Sequence, residues 1–138
     1  MIALFPYLES IFWQGGELFL LDYFEELFEK ASSYRNINHI IATHGLLIDE
    51  KWALKLAKAN LTLLFSIDSI EKSKYEYIRR GAKFEKLIKN IKRVNKYKKR
   101  YEKEIPDYKF ETAINTVVMK TNCGYLDKFI EFAYEYNF

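Results

Sequence analysis

Short apolar runs alternate with helically patterned stretches along this chain, and each apolar run stops at a polar or glycine tip. Residues 10–14, 39–43, 61–67 and 109–119 read as strands, with Ile114, Val117, Val118 and Met119 as the core of the fourth. Between them, residues 22–34, 49–59, 71–79 and 83–101 carry apolar residues at helical spacing, and residues 124–136 close the chain as a last helix. Strand, helix, strand, helix predicts right-handed crossovers and a parallel sheet. The continuous apolar character of the strands predicts cover on both faces. This constrains the site as much as the fold, because ligands of such sheets bind beyond the carboxyl ends of the strands.

Local signals refine the elements. Residues 2–9 read as the end of a short helix broken by Pro6. Asp22 suits the N-terminal end of the first long helix. Phe24, Leu27, Phe28 and Ala31 form its inner face, and Trp52, Leu54, Leu56 and Ala57 form that of the next helix. Gly81 breaks the short helical piece before residue 83. Phe84, Leu87, Ile88, Ile91 and Val94 then form a stripe, and Pro106 ends that region. Leu126, Phe129, Ile130, Phe132 and Ala133 are the expected inner face of the last helix. No linker or low-complexity segment divides the 138 residues, so residues 1–138 are read as one domain or part of one.

Four tips follow from this reading: Gln14-Gly15-Gly16-Glu17, Thr43-His44-Gly45, Ser66-Ile67-Asp68 and Lys120-Thr121-Asn122. Two glycines after a strand let bare backbone approach a small ligand, and the Glu17 carboxylate suits a cation there. Arg79 can grip a carboxylate with two parallel hydrogen bonds. Glu17 with Asp68 as an acid–base pair has no support without a substrate pose.

These tips, in this order, resemble the radical S-adenosylmethionine (radical SAM) enzymes, closest to the branch of peptide- and protein-modifying maturases. The residues that carry the resemblance are Phe12-Trp13-Gln14-Gly15-Gly16-Glu17, Thr43-His44-Gly45-Leu46-Leu47, Phe65-Ser66-Ile67-Asp68, the run from Tyr77-Ile78-Arg79 through Phe84-Glu85, and Val117-Val118-Met119-Lys120-Thr121-Asn122. It implies an α/β fold: a fragment of a partial (β/α)6 barrel, about four parallel strands with outer helices, equivalent to strands two to five. It implies that Gly15, Gly16 and Glu17 lie against the methionyl amino group of S-adenosylmethionine. Ser66 and Arg79 would contact its carboxylate and ribose, Asp68 its ribose or the substrate, and Val117 and Val118 would flank the adenine. A peptide or protein substrate is implied too.

The resemblance also brings a [4Fe–4S] cluster held by a CxxxCxxC loop, and here the sequence departs. Its one cysteine, Cys123, follows the fourth strand and cannot replace several thiolate ligands. Leu18 stands where the family has proline, and His44 where it has asparagine. The expectation is a chain that starts after the cluster loop, carries part of the S-adenosylmethionine site, has no catalytic or metal-ligating residues of its own, and is inactive alone. It is a truncated or decayed reading frame or one part of a split enzyme, whose complementing chain holds the CxxxCxxC half. A retained domain with a new binding role is the third origin. An open edge at residues 10–14 predicts self-association or a partner strand.

The remaining signals are read structurally. Two histidines, His39 and His44, with no nearby cysteine make a poor metal set. Trp13 and Trp52 are expected in the core. The basic stretch 79–103 is expected to be an outer helix with a solvated face; the alternative is a basic module for RNA or acidic peptide. A net charge of +3 does not call for a nucleic-acid partner. No apolar run reaches membrane-span length and no signal-peptide pattern precedes one, so a cytoplasmic location is expected, in keeping with the single cysteine.

Overall fold

The computed structural model describes residues 2–138. Four strands form one parallel sheet in the order β1-β2-β3-β4. They are β1 (Ser10–Trp13), β2 (Asn38–Thr43), β3 (Leu61–Ser66) and β4 (Phe110–Asn115). Strands that neighbour each other in chain order wind as a barrel does, without the order reversal of doubly wound sheets. The register sets Trp13 beside Ile41, Thr43 beside Phe65 and Ser66 beside Asn115. Because all pairs are parallel, every carboxyl end lies at the same margin of the sheet.

Five helices connect and flank the strands: α1 (Phe24–Ser32), α2 (Glu50–Leu56), α3 (Lys72–Ile78), α4 (Phe84–Glu104) and α5 (Leu126–Glu135). Short 3-10 turns occupy Ile2–Tyr7, with Pro6 inside it, Leu18–Leu20 and Cys123–Tyr125. Asp49 caps α2 by accepting from Trp52 N at 2.8 Å. Asp22 does not cap α1. The N-cap is Tyr23, with no side-chain bond, because the turn at Leu18–Leu20 carries the chain into the helix through Phe24 N donating to Leu21 O. Glu25 and Glu26 in the first turn supply the negative charge that a helix start favours.

The core lies between one face of the sheet and the helices. Ile41, Leu61, Leu63 and Phe65 are buried there with Ala53, Leu56, Leu87, Ile91 and Val94. An aromatic group fills the β1–β2 end: Trp13 meets Phe24 edge-on at 5.4 Å, and Phe24 stacks on Trp52 at 5.5 Å. The opposite face is different. Ile40, Ala42, Thr62, Leu64 and Ala113 are only partly buried, and Phe12 is exposed. The expectation of cover on both faces is therefore corrected. The second face is the concave side of an incomplete barrel, where side chains of further strands would fill the interior. Its small and aliphatic residues explain why the strands read as continuously apolar.

Two other expectations change. The fourth strand ends at Asn115 rather than continuing to residue 119. Val117 and Val118 lie beyond it, 63% and 59% exposed, so neither is core. In α5, Phe129 and Phe132 are buried, whereas Leu126 and Ile130 face outward. The long basic helix α4 buries Leu87, Asn90, Ile91 and Val94 and turns most of its lysines outward, as an outer barrel helix does, while the partly buried Lys98 donates to Thr112 Oγ1 at 3.3 Å. Among the described residues, no helix is long and apolar enough to cross a membrane.

Candidate functional site

At the carboxyl margin of the sheet, the chain after β1 meets the chain after β2. Gly15 and Gly16 are exposed, and a methyl group on either would meet nothing within 4 Å. The space beside their backbone is open. Glu17 turns inward. Its Oε1 accepts from Thr43 Oγ1 at 2.7 Å, and its Oε2 accepts from His44 N at 3.1 Å and lies 3.2 Å from His44 Nε2. His44 Nδ1 accepts from Leu46 N at 3.0 Å, which leaves the imidazole proton on Nε2, facing the carboxylate. Thr43 Oγ1 in turn accepts from Gly45 N at 3.0 Å. The polar side chains of this corner all have partners, so the turn that presents Gly15 and Gly16 is fixed by Glu17.

Gly45 holds φ +75°, and a Cβ there would sit 2.7 Å from two ring atoms of Phe65. Only glycine combines that backbone with that contact. Its carbonyl accepts from Asn90 Nδ2 at 2.8 Å, which ties the tip of β2 to α4.

A second cluster forms after β3. Asp68 Oδ2 pairs with Arg79 Nη2 at 2.7 Å, and Asp68 Oδ1 accepts from Val117 N at 3.1 Å. Asn122 is buried and fills three bonds: it donates to Asp68 O at 2.9 Å and Val117 O at 2.7 Å, and accepts from Met119 N at 2.7 Å. Asp68, Arg79 and Asn122 therefore bind the ends of β3 and β4 to the start of the α3–α4 connection. Ser66 is the last residue of β3 and lies on the concave face, in register with Asn115.

The expected site residues are thus gathered at one margin in two polar groups, Gly15–Gly16–Glu17 with Thr43 and His44, and Ser66–Asp68–Arg79 with Asn122. The Arg79 guanidinium already holds one carboxylate, that of Asp68, and its side chain remains partly exposed. Sequence reading passed over two participants. Asn90 is the polar member of the spacing Leu87, Asn90, Ile91, Val94, and a polar residue inside an apolar stripe is the signal that would have found it. Tyr75, fully buried, stands one helical turn before Arg79, a spacing that puts both on one side of α3.

The histidines serve other purposes than metal binding. His39 is buried in β2, where its Nδ1 accepts from Trp13 Nε1 at 3.0 Å, and burial pulls its pKa down to about 4. Among the described residues, no group of three or more His, Cys, Asp and Glu is placed to hold a metal ion. Cys123 is exposed and alone. These residues do not fit an iron–sulfur cluster, which takes several thiolates. They do fit part of a polar small molecule: an open glycine backbone, a partly exposed arginine and apolar Val117 and Val118 stand along one margin.

The fold has known relatives. A cysteine-type anaerobic sulfatase-maturating enzyme of Clostridium novyi (strain NT) is 32% identical over 129 residues, covering 87% of this chain and 32% of that protein. The solved structure of native anSMEcpe with bound AdoMet and the Kp18Cys peptide superimposes with a TM-score of 0.69 at 27% identity, covering 94% of this chain and 35% of that one. A hexahistidine-tagged anSMEcpe with bound AdoMet also superimposes with a TM-score of 0.69, at 26% identity, with 94% of this chain and 33% of that one covered. The chain thus spans about a third of the length of the relatives it matches. The family model described as the Radical SAM superfamily matches residues 2–133, and the chain belongs to that superfamily.

Proposed function

We propose that these 138 residues form one partial radical SAM core domain that supplies one wall of an S-adenosylmethionine site in a peptide- or protein-modifying enzyme. One observation carries the reading: Gly15–Glu17, Thr43–Gly45, Ser66–Asp68 and Asn122 come together at one margin of a parallel sheet whose order is that of a barrel. The relatives support the cofactor, since solved structures of similar fold contain bound AdoMet.

In this reading the open Gly15–Gly16 backbone receives the amino group, with Glu17 supplying negative charge behind it. Ser66 and the partly exposed Arg79 receive the carboxylate and ribose, and Asp68 lies next to the ribose. When bound, S-adenosylmethionine supplies the adenosyl group for radical chemistry, whose electron comes from a cluster. The cluster cysteines belong to a segment outside these 138 residues, on the same or a complementing polypeptide, so the isolated chain is inactive. The substrate class is a peptide or protein, by likeness to the relative solved with the Kp18Cys peptide, and the single cysteine supports a cytoplasmic working compartment.

Titration calorimetry with S-adenosylmethionine tests the site. Without an iron to chelate the amino acid part, binding is weak, on the order of 1 mM, and Arg79→Ala removes it. No heat at millimolar ligand with the folded wild-type chain overturns the reading. Reconstitution with iron and sulfide should give no stable cluster absorbance. A stoichiometric, oxygen-sensitive cluster in this chain alone overturns the claim that its ligands lie elsewhere.

A further inference from the structure

Three buried side-chain atoms have no hydrogen-bond partner among the described residues: the Tyr75 hydroxyl, Arg79 Nε and Thr116 Oγ1. Stranded polar atoms are rare in folded chains, and each asks for a reason. Two belong to residues one turn apart, one of which pairs with Asp68, and the third to the residue before Val117, whose N–H Asp68 binds. Arg79 N donates to Tyr75 O at 2.9 Å, so the two residues stand one turn apart, and the Arg79 guanidinium pairs with Asp68. Thr116 lies between two anchored neighbours. Asn115 O accepts from Ile67 N at 3.0 Å, and Val117 N donates to Asp68 Oδ1 at 3.1 Å.

The chemistry of the first two is complementary through a third group. Arg79 Nε–H only donates, whereas a phenol both donates and accepts. One water accepting from Nε–H and bonding the phenol satisfies both, and the Thr116 hydroxyl offers a third partner, the number a buried water takes. The one-turn spacing puts the Tyr75 and Arg79 side chains on the same side of the helix end, and burial raises the Tyr75 pKa. The guanidinium is then held from two sides. Asp68 takes the Nη2 edge, and a water there would take Nε.

We propose that Tyr75 is a positioning residue for Arg79, its hydroxyl joined to the guanidinium Nε through one buried water, so that the partly exposed Arg79 side chain is aimed at the carboxyl margin. The aim matters only if Arg79 receives ligand there, so this half of the inference rests on the proposed S-adenosylmethionine site. The water itself does not.

The test is NMR of the Arg79 Nε–Hε group in the whole chain. Wild type should show a slowly exchanging Hε with a cross-peak to a long-lived water. Tyr75→Phe, which keeps the ring, should abolish the cross-peak and speed Hε exchange at least tenfold. Thr116→Val should weaken the cross-peak while leaving the Arg79–Asp68 pair in place. If Tyr75→Phe does not fold, Thr116→Val still reads the same water. Absence of a water cross-peak in wild type overturns the bridge. Calorimetry with S-adenosylmethionine gives the second arm: Tyr75→Phe should weaken binding roughly fivefold, the scale of one hydrogen bond. Unchanged affinity in a variant that has lost the water overturns the positioning role. A wild-type chain that shows the water but binds no S-adenosylmethionine overturns the proposed site and leaves the bridge standing.

Discussion

Substituting alanine for Gly45 adds one methyl group where the backbone holds φ +75° and the Phe65 ring stands 2.7 Å away. Strain and overpacking combine, so Gly45→Ala should lower unfolding free energy by roughly 2–4 kcal/mol in urea titration. Alanine at Gly15, where space is open, should be nearly neutral for stability. His39 gives a pH signature. Its folded pKa, about 4, lies below the ordinary histidine value of 6.5, so the unfolded chain binds the proton first. Stability is unaffected above 6.5 and falls as pH drops from 6.5 towards 4, by roughly 3 kcal/mol in all. His39→Gln should flatten that part of the pH profile in matched denaturation series. The glycines and Glu17 were legible in the sequence because their types are constrained by position. The partners of Glu17, by contrast, lie 26 and 27 residues away, and no local pattern announces them.

At the scale of elements, strands flanked by glycine or polar tips are legible to within a residue or two, while apolar type overextends β4 and the inner face of α5. Val117 and Val118 have the strand-forming shape, but Asp68 captures Val117 N and Asn122 captures its carbonyl, and the ladder ends. Apolar type alone could not reveal that competition. Ile130 likewise fits helical spacing and still faces outward, since α5 rests on the molecule through Phe129 and Phe132. The α4 helix was legible from its stripe, except for Asn90. Replacing it by leucine strands Gly45 O, so Asn90→Leu should destabilise by about 1–3 kcal/mol and free the β2 tip, visible as faster amide exchange at Gly45 and Leu46.

For the whole molecule, the concave face and the outer edges of β1 and β4 decide behaviour in solution. Strand edges with unpaired backbone groups next to an exposed Phe12 favour edge-to-edge pairing. Sedimentation velocity should show concentration-dependent association, and Phe12→Lys should shift the distribution towards monomer. The parallel sheet and its shared margin were readable from alternation and the strand order from the family resemblance, whereas the one-sided cover was not, because aliphatic side chains serve a barrel interior and a sandwiched sheet equally well. The exposed thiol of Cys123 stands just beyond the Asp68–Asn122 cluster and has no second cysteine to compete with it. A fluorophore coupled there needs no prior mutagenesis, and its emission would report directly when a solute binds at the neighbouring strand ends.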